Sequence, residues 1–130
     1  MIRKPIIKPR ESKLHVATAD LLQNHCLPEW RWTFMNRKAK DAREGALFKK
    51  MGLKPAWPDF VLLSPECRFH GLELKREGGQ LSKEQEEFRA WVLSHGGEYE
   101  VADTFLLVLR ALGVWGCLRI KTSVPVLSDC

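Results

Sequence analysis

The chain has 130 residues, 45% of them hydrophobic and 28% charged, with 21 Lys/Arg against 16 Asp/Glu for a net charge of +5. That balance is globular, which excludes disordered, collagen-like and disulfide-scaffold chains, and the length fits one domain over residues 1–130. No apolar run approaches the roughly 20 residues of a membrane helix, and the basic start MIRKPIIKPR lacks the apolar segment of a secretory signal, so the sequence points to the cytoplasm.

Residues 1–10, with Pro5 and Pro9, read as an extended basic arm. Leu14, Ala17, Leu21 and Leu22 recur at helical spacing and predict a helix from about Glu11 to His25, stopped by Pro28. Glu11, His15 and Thr18 then share a flank. Trp30, Trp32 and Phe34 alternate with Arg31 and Thr33, the period of a half-buried strand. Asn36 to Lys40 is a polar loop, and Ala42 to Met51 a short basic helical or irregular segment closed by Gly52.

Pro55 and Pro58 stiffen the approach to Asp59, after which Phe60 to Leu63 forms a continuous apolar run suited to a central strand. After a turn, Phe69 to Arg76 predicts a second strand in a hairpin with the first, its alternation placing Phe69, Gly71, Glu73 and Lys75 on one face. Ser82 with Gln85 has the spacing of a capping box, and Phe88, Trp91, Val92 and His95 predict the buried stripe of the helix it opens. Gly96 and Gly97 end that helix, Tyr99 and Val101 mark another strand, and Asp103 is the expected cap of a last helix to about Leu112. A final strand at Cys117 to Ile120 precedes a tail over about 121–130. Helices and strands in this order predict an α/β fold, a mixed central sheet flanked by helices.

Charge is segregated along the chain. Residues 1–13 hold five Lys/Arg against Glu11, residues 31–54 eight against Asp41 and Glu44, and residues 73–100 seven acids against four bases. This points to a polyanion-facing surface, although a mixed surface helix gives a similar count. Arg37, Lys38 and Lys40 in the polar loop are candidates for duplex or junction contact, and Lys49, Lys50 and Lys54 for backbone phosphates. The plain alternatives are a flexible loop and a solvated basic face. Trp32 and Trp91 fall on apolar faces and read as core, while Trp57 and Trp115 stay open. Cys26, Cys67, Cys117 and Cys130 form no CxxC pair and read as free thiols. The four histidines show no metal-ligand spacing, and no phosphate-cradling glycine loop or GxSxG elbow occurs.

Asp59 opens one strand, and Glu73 and Lys75 project from one face of the next. Paired strands about 4.8 Å apart bring two such carboxylates within reach of one hard divalent cation, with an ammonium beside it to orient water. An acid two before a lysine occurs by chance about once in a chain this size, so the context, not the triplet, carries the signal. A cross-strand ion pair on an exposed face is the alternative.

The stretch from Gly52 to Gly97, with Pro58-Asp59, thirteen residues, then Glu73-Leu74-Lys75, flanked by Met51-Gly52-Leu53-Lys54 and Leu81-Ser82, resembles the core of the VRR-NUC family of PD-(D/E)xK nucleases. The resemblance covers about residues 10–113. It implies a restriction-endonuclease-like fold and Mg²⁺- or Mn²⁺-dependent DNA cleavage leaving 5′-phosphate and 3′-hydroxyl ends. Asp59 and Glu73 would be metal ligands, with the Leu74 carbonyl a third candidate and Glu11 an acidic position on the first helix. Lys75 would be the catalytic lysine, and Gln85 matches a family glutamine. Glu11 reads equally as a carboxylate at a helix N-terminus, and Gln85 as the capping partner of Ser82. Stand-alone family members resemble junction resolvases and are often homodimers, which implies branched DNA, Holliday-junction or flap, as substrate in a phage or repair setting. One departure is Asn36-Arg37-Lys38 where the family commonly has Asn-Gly. The alternatives from other classes are an inactive nuclease-like DNA-binding module and a basic RNA-binding protein, the latter without the usual aromatic signature.

Overall fold

The computed structural model describes residues 9–35 and 38–119, with side chains from residue 12 onward. The arm up to residue 8, Arg37, Ile120 and the tail over 121–130 lie outside the described residues, as does the side chain of Glu11. The elements are α1 (Pro9–His25), β1 (Arg31–Phe34), α2 (Ala42–Lys50), β2 (Phe60–Leu63), β3 (Phe69–Leu74), α3 (Lys83–Ser94), β4 (Glu98–Ala102) and α4 (Phe105–Trp115).

The strands form one sheet in the order β1-β2-β3-β4. β1 and β2 are antiparallel with Phe34 opposite Phe60, and β2 and β3 are antiparallel with Phe60 opposite Leu72. A tight turn closes the second pair: Ser64 N–H donates to Arg68 O at 3.1 Å, and Cys67 takes a positive φ of 65°. β4 runs parallel to β3, which a tight hairpin cannot achieve, so α3 serves as the crossover between them. The sheet is therefore mixed, as the element order predicts.

The period of two divides the sheet into unlike faces. Phe60 and Leu62 of β2, Leu72 and Leu74 of β3 and Ala102 of β4 pack with Leu21 and Leu22 of α1 and Val108 and Leu112 of α4. Phe60, Leu62, Leu72, Val108 and Leu112 are wholly buried there. α1 delivers Leu14, Thr18, Leu21 and Leu22 at i, i+4, i+7 and i+8, and the buried Thr18 hydroxyl is satisfied by the Leu14 carbonyl at 2.8 Å. His70, on this same face, sits between the rings of Trp30 and Trp115, and burial lowers its pKa. It is a core histidine.

Four expectations need correction. The cap of α4 is Thr104, whose side chain accepts from Leu107 N–H at 3.2 Å; Asp103 instead accepts from Gly78 N–H. That helix also runs past Leu112 to Trp115, because the first left-handed position is Gly116, with φ 76°. On α3, Val92 is buried and Phe88 half-buried, but Trp91 is 61% exposed and stacks on the exposed His95 ring at 4.2 Å. The inward line of α3 runs through Gln85, Phe88 and Val92, which leaves Trp91 about 100° away from Val92. At the C-terminal side, among the described residues, a single bridge, Cys26 to Leu118, stands in place of the expected strand. Cys26, Cys67 and Cys117 are free thiols.

Candidate metal and phosphodiester site

Opposite the apolar core, the other face of β3 carries Phe69, Gly71 and Glu73 toward α3. The antiparallel register that sets Phe60 against Leu72 places Asp59, one residue earlier, against Glu73. Gly71 makes this possible. A Cβ there would stand 2.9 Å from Pro58 Cγ and 3.2 Å from both Phe69 and Tyr99, so the bare strand lets the buried Pro58 lie across it and delivers Asp59 to its place.

Asp59 and Glu73 are 5% and 3% exposed. Glu73 Oε1 accepts from the Asp59 backbone N–H at 3.2 Å, and Asp59 Oδ2 accepts from Leu74 N–H at 2.8 Å. Each carboxylate is thus held by the other's strand. Glu73 Oε2 accepts from Gln85 Nε2 at 3.0 Å, and Gln85 Oε1 accepts from Lys75 Nζ at 2.9 Å. Lys75 Nζ stands 3.5 Å from Glu73 Oε2, and its backbone N–H extends the ladder to Ala102 O.

Gln85 makes the contacts of a capping partner and also touches Lys75 and Glu73. Its Oε1 accepts from the Ser82 N–H at 2.9 Å while Ser82 Oγ accepts from the Gln85 N–H at 3.2 Å, a complete capping box. The same amide then joins lysine to carboxylate. The helix start and the site are fixed by one side chain. The Glu73–Lys75 pair is likewise not on an open sheet face, since its side chains are only 5% and 20% exposed.

Burial is the first cause that pushes the Glu73 pKa up to about 7, and the neighbouring Asp59 charge is the second; the Lys75 ammonium opposes them. Glu73 is thus buried beside a second carboxylate, Asp59, with the Lys75 ammonium 3.5 Å from Glu73 Oε2. The carboxylate oxygens are hard donors, which fits Mg²⁺ or Mn²⁺, and Mg²⁺ is commonly held by one or two carboxylates and several waters. Among the described residues no group of three or more Asp, Glu, His or Cys side chains converges on a metal position. Asp59, Glu73 and the Leu74 backbone are therefore the ligand candidates that the described residues bring together.

Tyr99 belongs to this face too, and alternation alone did not single it out. Its hydroxyl is buried with no hydrogen-bond partner among the described residues, a state that costs about 1–3 kcal/mol. The signal that reveals it is the pairing of β4 with β3, which places Tyr99 against Gly71; nothing in the sequence states that register.

The predicted basic contacts lie on and around α2. Lys38, Lys40, Lys49, Lys50 and Lys54 are all exposed, on α2 and the segments flanking it. α2 is capped by Asp41, which accepts from Glu44 N–H at 2.8 Å, and buries none of its residues. Trp57, 40% exposed, packs its ring on Phe69 and Phe88 beside the site.

The VRR-NUC domain model matches residues 10–105 of this chain. Among solved structures, a protein described as a VRR_NUC domain protein is similar to it with a TM-score of 0.63 and 18% identity, over 96% of this chain and 100% of the other. No curated protein matches.

Proposed function

Since the chain belongs to the VRR-NUC domain family, a nuclease-type family, we propose that it is a Mg²⁺-dependent DNA endonuclease of the restriction-endonuclease-like, PD-(D/E)xK fold, with Mn²⁺ able to substitute. The observation that carries this reading is the continuous run of hydrogen bonds from Asp59 through Glu73 and Gln85 to Lys75, with both carboxylates buried. Asp59 and Glu73 would hold the cation, with the Leu74 carbonyl as a further ligand and Glu11 as a candidate from α1. When bound, the cation would polarise the scissile phosphate and favour ionisation of the attacking water.

The chain's own residues do the rest. Gln85 fixes the distance between Lys75 and Glu73, so the ammonium is aimed before substrate arrives. An ammonium has three N–H donors; one goes to Gln85, and another is available to a water or a phosphate oxygen. Lys75 thereby orients the nucleophile for in-line attack. Glu73, once ionised, accepts from Gln85 and cannot drift toward the substrate. Arg37, Lys38, Lys40, Lys49, Lys50 and Lys54 would track phosphates and make affinity fall with salt. Branched DNA, as a Holliday junction or flap, is the substrate class we favour, cut by a homodimer.

The test incubates end-labelled four-way-junction, flap, duplex and single-stranded DNA with the protein in Mg²⁺, Mn²⁺ or EDTA, beside Asp59→Ala and Lys75→Ala. Metal-dependent cleavage should fall at least about a hundredfold in both variants, with folding and most DNA binding kept. Binding without cleavage in every metal would favour an inactive DNA-binding module instead.

A further inference from the structure

Tyr99 lies on β4 opposite Gly71, two residues before Glu73 on the same face of β3. Diagonal neighbours in a sheet stand about 7–8 Å apart, and Gly71 puts no side chain between them. The Tyr99 ring is held from α3 by Phe88, with centroids 6.4 Å apart, and is 3% exposed. Its hydroxyl has no partner among the described residues. The hydroxyl nevertheless feels the site: after burial, the charges that hold its proton on most strongly are those of Glu73 and then Asp59. The hydroxyl is thus buried, within electrostatic reach of two carboxylates and without a partner among the described residues; a water can bridge polar groups that do not meet directly.

We propose that Tyr99 is a positioning residue of the metal site, its hydroxyl donating to a water that is shared with the Asp59–Glu73 carboxylates when a divalent cation and its hydration shell are present. A phenol is suited to this place. It stays protonated, so it remains a donor throughout, and its ring packs against Gly71. Its bond would be one of the outer contacts that orient what metal ligands hold.

This inference rests on the metal-site reading above, and the experiment separates the two. Mg²⁺ alone is titrated calorimetrically into wild type, Tyr99→Phe and Asp59→Asn, and the heat stability of each is followed with and without Mg²⁺. Tyr99→Phe removes only the hydroxyl and keeps the ring packed. It should weaken Mg²⁺ binding about tenfold and shrink the Mg²⁺-induced rise in Tm, while the metal-free Tm stays level or rises by a few degrees. A merely structural hydroxyl would do the reverse. Unchanged Mg²⁺ affinity in Tyr99→Phe, or a lower metal-free Tm, overturns the role of Tyr99 while wild-type binding lost in Asp59→Asn keeps the site. Wild type that does not bind Mg²⁺, or Asp59→Asn that binds as wild type does, overturns both.

Discussion

Leu72 and Glu73 are adjacent in β3 and both are buried, yet they stand on opposite faces of the sheet and do opposite things. Leu72 and Leu74 face α1 and α4 in an apolar layer where each side chain is surrounded by others of its kind. Gly71 and Glu73 face α3, where the neighbours are Pro58, Asp59, Gln85 and Tyr99. The first face stabilises the chain. The second carries like charges and a hydroxyl that has no partner among the described residues out of water, which costs stability. The hairpin therefore gains from one face what allows the other to remain strained in charge and ready for a cation.

The contrast can be broken most forcefully on the apolar face. Leu72→Ala should cost about 2–5 kcal/mol, since it empties a wholly buried site; urea denaturation measures it. A loss under 1 kcal/mol would mean that the two faces are not divided as described.

The second prediction concerns pH and the polar face. Glu73 has a folded pKa raised from its ordinary value of 4.5 to about 7. A raised pKa means that its contribution is fully present below about pH 4.5 and is lost as pH rises toward and past 7. The metal-free protein should therefore lose on the order of 1–3 kcal/mol across that interval from this group. Because Asp59 is one cause of the shift, Asp59→Asn should flatten the fall. Denaturation of both proteins between pH 4.5 and 8 in EDTA checks the difference; parallel profiles would remove the charge coupling between the carboxylates.

Trp91 gives the smallest effect and sharpens the boundary of the polar face. Exposed on the outer flank of α3, its replacement by Ser should change stability by less than about 0.5 kcal/mol. A large loss of heat stability would show that the α3 face extends further than its buried line through Gln85, Phe88 and Val92.

Much of this was legible in the residues. The continuous run Phe60–Leu63 and the capping spacing of Ser82 and Gln85 rest on local chemistry, and both stand in the structure where that chemistry places them. The pairing of Asp59 with Glu73 followed from two strands in a hairpin, whose register the short turn fixes. Most of what failed was long-range. Trp91 looked buried because helical periodicity defines a stripe but not its centre, which is set by where α3 lies on the sheet. Thr104 displaced Asp103 as cap because both are good capping residues one position apart. Tyr99 and Gly71 were invisible as a pair, since a parallel register across a crossover leaves no mark in the sequence. Gln85 was read as either cap or site, and its amide has enough donors and acceptors to be both.

The most direct test of the buried carboxylate pair as a metal site is a calorimetric titration of Mg²⁺ at pH 6.5 in two buffers of different ionisation enthalpy, on wild type and Asp59→Asn. At that pH Glu73, with its pKa near 7, still carries much of its proton, and a cation can be bound only as that proton leaves. Saturable binding that releases a substantial fraction of one proton and disappears in Asp59→Asn is the expected result. Binding with no proton release, or binding that survives the loss of Asp59, would contradict it.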